Sequence, residues 1–137
     1  MTDEKIINYL KEANLFMNYN EYFMGVVVPT IGNQVLFGAF ASCFRDFSGY
    51  IINQTENGIG IIPLSNSTGK PMINLAMFIY QNQLSSITIE NAGLFFYKKI
   101  TIKDINNQGI SFKTVKNVLL VKQHKNNLQN FINRYTK

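Results

Sequence analysis

Residues 85–115 constrain this chain more than any other stretch. They read Ser-Ser-Ile-Thr-Ile-Glu, Asn-Ala-Gly, Leu-Phe-Phe-Tyr-Lys-Lys-Ile-Thr-Ile-Lys, Asp-Ile-Asn-Asn-Gln-Gly and Ile-Ser-Phe-Lys-Thr-Val. Three runs of alternating apolar residues, separated by two Asn/Gly breaks, predict an antiparallel meander. Side chains alternate between faces along a strand. Ile87 and Ile89 therefore share one face, as do Ile100 and Ile102, while Thr88, Glu90, Thr101 and Lys103 point the other way. The middle strand is expected over 94–103, with Phe95, Tyr97, Lys99, Thr101 and Lys103 along one face, followed by a last strand over 110–114.

Around this meander the remaining segments take their places. Ile6, Ile7, Leu10 and Ala13 form a helical stripe over residues 1–14, with Thr2 or Asp3 as the cap. Residues 15–23 are aromatic-rich and read as either a connection or a first strand. Residues 24–44 carry no charge and have the length of a membrane span, but Pro29, three glycines and the Asn33-Gln34 pair argue against one. Two strands, 25–29 and 34–42, with a turn at Gly32-Asn33, fit better. Residues 45–49 read as a polar loop. A hairpin over 50–64 follows, turning at Asn57-Gly58, where a tight turn needs positive φ. Residues 72–80 suit a buried strand or a short helix. At the end of the chain Val121, His124, Leu128, Phe131, Ile132 and Tyr135 recur at helical spacing and predict a helix over 117–136. The expectation is one α+β domain over 1–137, with its strands between 20 and 115.

Charge is distributed unevenly. The net charge is +5, yet residues 1–49 carry −2, residues 50–97 carry −1 and residues 98–137 carry +8. Asymmetry of this kind marks either a solvated face or an anionic partner. The one cysteine, Cys43, excludes an internal disulfide and fits a reducing compartment. The first residues lack the basic-then-apolar layout of a signal peptide, so a cytoplasmic location is expected.

The segments 49–58 (Gly-Tyr-Ile-Ile-Asn-Gln-Thr-Glu-Asn-Gly), 84–90 (Leu-Ser-Ser-Ile-Thr-Ile-Glu) and 94–103 running into 110–114, followed by the amphipathic end of the chain, resemble a bacterial pleckstrin-homology-like domain. The resemblance extends over roughly residues 20–137. It implies two roughly orthogonal antiparallel sheets forming a partly open barrel, plugged at one end by the C-terminal helix. It further implies a binding or scaffolding role without a catalytic site. The chain departs from eukaryotic members in having no Trp, a place Phe131 could fill. Residues 25–42 also have no Lys or Arg, so the basic strand motif those members use for phosphoinositide heads has no counterpart.

Chemistry-bearing residues are few. His124 is the only histidine, and no carboxylates cluster beside it at ligand spacing, so neither a metal nor a cofactor is expected. A Cys43–His124 nucleophile–base pair is the one conceivable dyad, but Cys43 sits in the apolar run Phe-Ala-Ser-Cys-Phe, where a free cysteine packs as a small hydrophobe. Thr68-Gly69-Lys70 fails as a phosphate loop, because Leu64 stands where glycine is needed and Pro71 follows the lysine. The chain is thus expected to be a non-catalytic module that binds protein, including a second copy of itself through a sheet edge or aromatic patch. The alternative is electrostatic binding of an anionic membrane surface or nucleic acid by Lys99, Lys103, Lys113, Lys116, Lys122 and Lys125.

Overall fold

The computed structural model describes residues 1–27 and 47–136. Cys43, most of the uncharged run and the strands expected beyond residue 27 lie outside the described residues. In chain order the elements are α1 (Asp3–Glu12), β1 (Asn20–Val26), β2 (Phe47–Thr55), β3 (Gly58–Ser65), β4 (Met77–Tyr80), β5 (Leu84–Asn91), β6 (Lys98–Asp104), β7 (Gly109–Lys113) and α2 (His124–Tyr135). Helices at the two ends and antiparallel strands between them make the fold α+β.

Among the described residues the strands form one seven-stranded antiparallel sheet ordered β4-β3-β2-β1-β7-β6-β5, where two roughly orthogonal sheets were expected. Its halves meet at a seam where, among the described residues, β1 and β7 share the pair Val26↔Lys113. The edge strands β4 and β5 are consecutive in sequence, and Gln81–Gln83 links them. In a flat sheet, edge strands six spacings apart would be about 29 Å from each other, whereas four residue steps reach only about 14 Å. The sheet therefore curls until its edges approach at that corner. The link is held on both sides: Gln81 N–H donates to Asn57 O at 2.9 Å, and Ile105 N–H donates to Gln83 O at 2.9 Å. β4 and β5 share no ladder among the described residues, so the sheet is not closed.

The two halves differ in how they are covered. In β2 and β3 nearly every residue is buried, which accounts for apolar runs such as Tyr50-Ile51-Ile52 and Ile59-Gly60-Ile61-Ile62. On the inner face Tyr50, Ile52, Ile59 and Ile61 join Phe23, Ile100, Ile102, Ile110, Phe112 and α2 in the main core. On the outer face Ile51, Ile62, Leu64 and Tyr22 pack under Ile6 and Leu10 of α1. No described helix covers the outer face of β5–β7, and there the polar alternation legible in the sequence persists.

The curl makes β1 special. Its even-numbered residues direct their backbone groups towards β7, but only Val26 finds a partner there. Side chains of α2 take over at the others. Met24 N–H donates to His124 Nδ1 at 3.1 Å, and Asn127 Nδ2 donates to Tyr22 O at 2.9 Å. A buried backbone group left unpaired costs about 1–3 kcal/mol, so these two polar residues belong in an otherwise apolar helix face. Around them Leu128, Phe131 and Ile132 fill the opening, with the Phe131 ring tilted against Phe23 at 5.0 Å between centroids.

Several boundaries differ from expectation. The last helix starts at His124 instead of 117, because the chain first turns through Leu120, at φ 69°, and a Val118↔Val121 bridge. Phe47, Ser48 and Gly49 belong to β2 and not to a loop. At the β2–β3 turn Thr55 supplies the geometry, its hydroxyl accepting Asn57 N–H at 3.2 Å and donating to Gly58 O at 2.9 Å, and only Gly58 takes a positive φ. Residues 72–80 realise both readings, a 3₁₀ turn at Ile73–Leu75 and then β4. Thr2 caps α1, while Asp3 fastens the backbone leading into the other helix: its carboxylate accepts Lys122 N–H at 2.7 Å, Gln123 N–H at 3.1 Å and the Tyr22 hydroxyl at 2.8 Å. Burial alone would raise the Asp3 pKa, but these three donors outweigh it and hold it below the ordinary carboxylate value.

Two substitutions test this account. A methyl group at Gly25 would run into the Phe112 ring at the seam. Gly25→Ala should therefore destabilise by about 1–3 kcal/mol in chemical denaturation, and a parent-like midpoint would show that the seam is looser than described. Asp3→Ala should cost about 1 kcal/mol. That loss should be complete above the ordinary carboxylate range and shrink as the pH falls through the lowered pKa. An unchanged difference in strong acid would mean that Asp3 acts through packing alone.

Candidate binding surface

The ladder between β5 and β6 pairs Ile87 with Ile102, Ile89 with Ile100 and Asn91 with Lys98. A tight turn at Asn91-Ala92-Gly93 would instead have set Ile89 against Phe95 and left Ile100 and Ile102 without isoleucine partners. Pairing the buried faces outweighs closing the shortest turn, since register follows the core-facing set. The consequence is a loop over residues 92–97, entered through Gly93 at φ 97°. The expected strand over 94–103 is therefore β6 alone, and Phe95 and Tyr97 do not share a strand face with Lys99, Thr101 and Lys103.

The loop has a fixed base and a bare tip. At the base Tyr97 N–H donates to Thr114 O at 2.7 Å, Thr114 N–H returns to Lys98 O at 2.7 Å, and the Tyr97 hydroxyl donates to Gln129 of α2 at 3.2 Å. Phe96 and Tyr97 are half-buried. At the tip Leu94 is 97% and Phe95 is 86% exposed. Residues 94–97 line a shallow cleft with Val115 and Lys116, and a second cleft beside it is lined by Tyr97, Lys116, Lys125, Leu128 and Gln129.

Lysines surround this loop. Lys113 Nζ lies 5.3 Å from the Phe96 ring centroid, and Lys98 and Lys116 lie 5.3 and 5.1 Å from the Tyr97 centroid. Contacts of this kind are worth about 0.5–1 kcal/mol each at exposed sites. Lys99 stands directly opposite Lys113 in the β6–β7 ladder and opposite Glu90 in the β5–β6 ladder. Of the six lysines expected from sequence, Lys99, Lys113, Lys116 and Lys125 are thus gathered beside the loop. Lys103, opposite Gly109, belongs to the other end of β6. Lys122 lies at the start of α2, where Asp3 holds its backbone. Lys98, Leu94 and Phe95 were not expected as site residues. The signal for them was present, because matching Ile89 to Ile100 requires a long connection.

His124 supports this surface from behind. Because Nδ1 accepts the Met24 N–H, Nε2 carries the proton and donates to Val115 O at 2.7 Å, anchoring the residue before Lys116. Burial disfavours the imidazolium and outweighs the Val115 hydrogen bond, so the His124 pKa lies below its ordinary value. Both ring nitrogens are engaged by backbone. Among the described residues no three His, Cys, Asp or Glu side chains gather as a metal site, and no described helix is long and apolar enough to cross a membrane. Comparison of the chain with protein-family models, curated proteins and solved structures returns no match.

A histidine kept neutral in the fold and free to ionise when unfolded makes stability depend on pH. The contribution of His124 is whole above its ordinary pKa of 6.5 and falls as the pH drops from there towards the lowered value. Denaturation midpoints measured from about pH 7.5 down to about pH 5 should decline for the parent. His124→Gln should be less stable at neutral pH and flatter across that range. A variant that keeps the parent's slope would assign the dependence to another group.

Proposed function

We propose that this chain is a non-catalytic binding module of pleckstrin-homology-like architecture, and that its partner is a protein segment added as a strand to the edge of β5 that no described strand pairs with. The architectural reading is supported by two antiparallel halves joined at one seam and by a C-terminal helix seated in the opening between them. The non-catalytic reading is supported by the engagement of both His124 nitrogens with backbone.

The observation that carries the proposal is the edge itself. β5 is eight residues long and, among the described residues, pairs on one side only, with β6. Its sequence, Leu-Ser-Ser-Ile-Thr-Ile-Glu-Asn, contains one charge and no proline. Edge strands that avoid company are short, charged, bulged or covered, and β5 has only a single irregularity between Leu84 and Ser86. An unblunted edge offers main-chain hydrogen bonds to an extended peptide or to a second copy of the chain. β4, the opposite edge, has only four residues and offers less.

Pulldown at low and high salt tests the proposal. The main partner should be retained at about 1 M salt, where the Debye length is about 3 Å and electrostatic attachment fails. Ser86→Lys with Thr88→Lys should abolish capture, because lysines along an edge oppose strand addition. Lys99→Glu with Lys103→Glu should leave capture intact. A partner lost with salt, or with the charge reversals, would overturn strand addition as the principal mode.

A further inference from the structure

We infer that the loop over residues 92–97 is a second docking surface, and that its occupant is an anionic lipid bilayer. This goes beyond strand addition at β5 and does not depend on it. The tip presents one aliphatic and one aromatic side chain, Leu94 and Phe95, almost wholly to solvent. Neither has a role in the core. Behind the tip Lys98, Lys113 and Lys116 stand against the Phe96 and Tyr97 rings, and Lys125 lines the adjoining cleft. Apolar groups foremost with cations a few ångströms behind match the depth profile of a bilayer surface, where acyl chains lie beneath anionic headgroups. Tyr97, half-buried with its hydroxyl on Gln129, adds an amphipathic ring at the boundary.

Charge complementarity and geometry favour this occupant over single-stranded nucleic acid. Stacking of bases requires open aromatic faces. Here the Phe96 and Tyr97 faces already hold ammonium groups, and the foremost residue is a leucine, which cannot stack. The carboxylate that the ladder sets beside these lysines is Glu90, opposite Lys99. The surface therefore stays positive. The base bonds of Tyr97, Lys98 and Thr114 hold the loop in place, so insertion would not have to order it first.

Co-sedimentation with phosphatidylcholine vesicles, with and without phosphatidylglycerol, tests the inference at low and physiological ionic strength. The parent chain should bind only the anionic vesicles. Leu94→Ser with Phe95→Ser should weaken binding at least about tenfold, since each side chain removes substantial apolar area from the contact. Its melting curve should match the parent's, because both residues are exposed. Lys98→Glu with Lys116→Glu should weaken binding by about fivefold or more per lysine. The chain has no tryptophan, so Phe95→Trp provides a clean reporter, and its emission should shift to the blue on anionic vesicles. Absence of vesicle binding by the parent, undiminished binding by the tip variant, or an unshifted Trp spectrum would each overturn the inference. Binding of an oligonucleotide that is lost in the tip variant, without vesicle binding, would assign the loop to nucleic acid instead.

Discussion

The structure depends on how the open side of β1 is satisfied. A sheet that curls at Val26↔Lys113 leaves the backbone of Tyr22 and Met24 facing an opening where β7 has already diverged. Water cannot serve these groups within an apolar core, and α2 serves them with Asn127 and His124. The helix is thus the hydrogen-bonding continuation of the sheet as well as its hydrophobic plug. Its rotation and height over β1 are set by these two polar contacts. Further along, buried Glu21 of β1 adds to them by accepting from Asn130 at 2.6 Å and pairing with Arg134 at 3.0 Å. Burying a carboxylate is unfavourable unless it is paired and hydrogen-bonded, and both conditions are met.

Once α2 is placed, the rest of the connectivity follows. Phe23 projects from the same strand into the centre of the core, against Phe112 of β7 at 6.2 Å and Phe131 of α2 at 5.0 Å. Gly25 lets the Phe112 ring lie over the β1 backbone, so the two halves close on each other. Asp3 then ties the first helix to the start of the last, across about the whole length of the chain. The two chain ends are fastened through one carboxylate, while the middle strands supply most of the apolar burial.

Coverage divides the molecule functionally. In the half formed by β1–β4, α1 lies over the outer face, and β2 and β3 are buried on both sides. The other half has, among the described residues, an uncovered outer face, an eight-residue edge without a partner strand and the lysine-collared loop at one end. Both proposed surfaces fall on this thinner half for a common physical reason. There the described residues expose strand backbone together with Leu94 and Phe95, which the core does not use.

The local periodicities were written into the order of the residues. The stripe of α1, the double-sided apolar runs of β2 and β3, the alternation of β5–β7 and the stripe of α2 all follow from side-chain spacing, and each was legible because the period is a property of the strand or helix alone. The Asp104–Gly109 turn was also written locally, with Asn107 at φ 62° and Asp104 Oδ1 accepting Asn106 N–H at 2.8 Å. What only the tertiary structure decided are pairings between distant residues. Nothing near Asp3 indicates that it holds the entry to α2, because those backbone donors lie more than a hundred residues away. Nothing near His124 or Asn127 shows that their partners are backbone groups of β1. The loop over 92–97 is the clearest case. Read locally, Asn91-Ala92-Gly93 makes a tight turn, and Phe95 with Tyr97 continues a strand. The register is instead chosen by Ile87, Ile89, Ile100 and Ile102 meeting in a common core, and the free energy of that burial expels Leu94 and Phe95 to the tip.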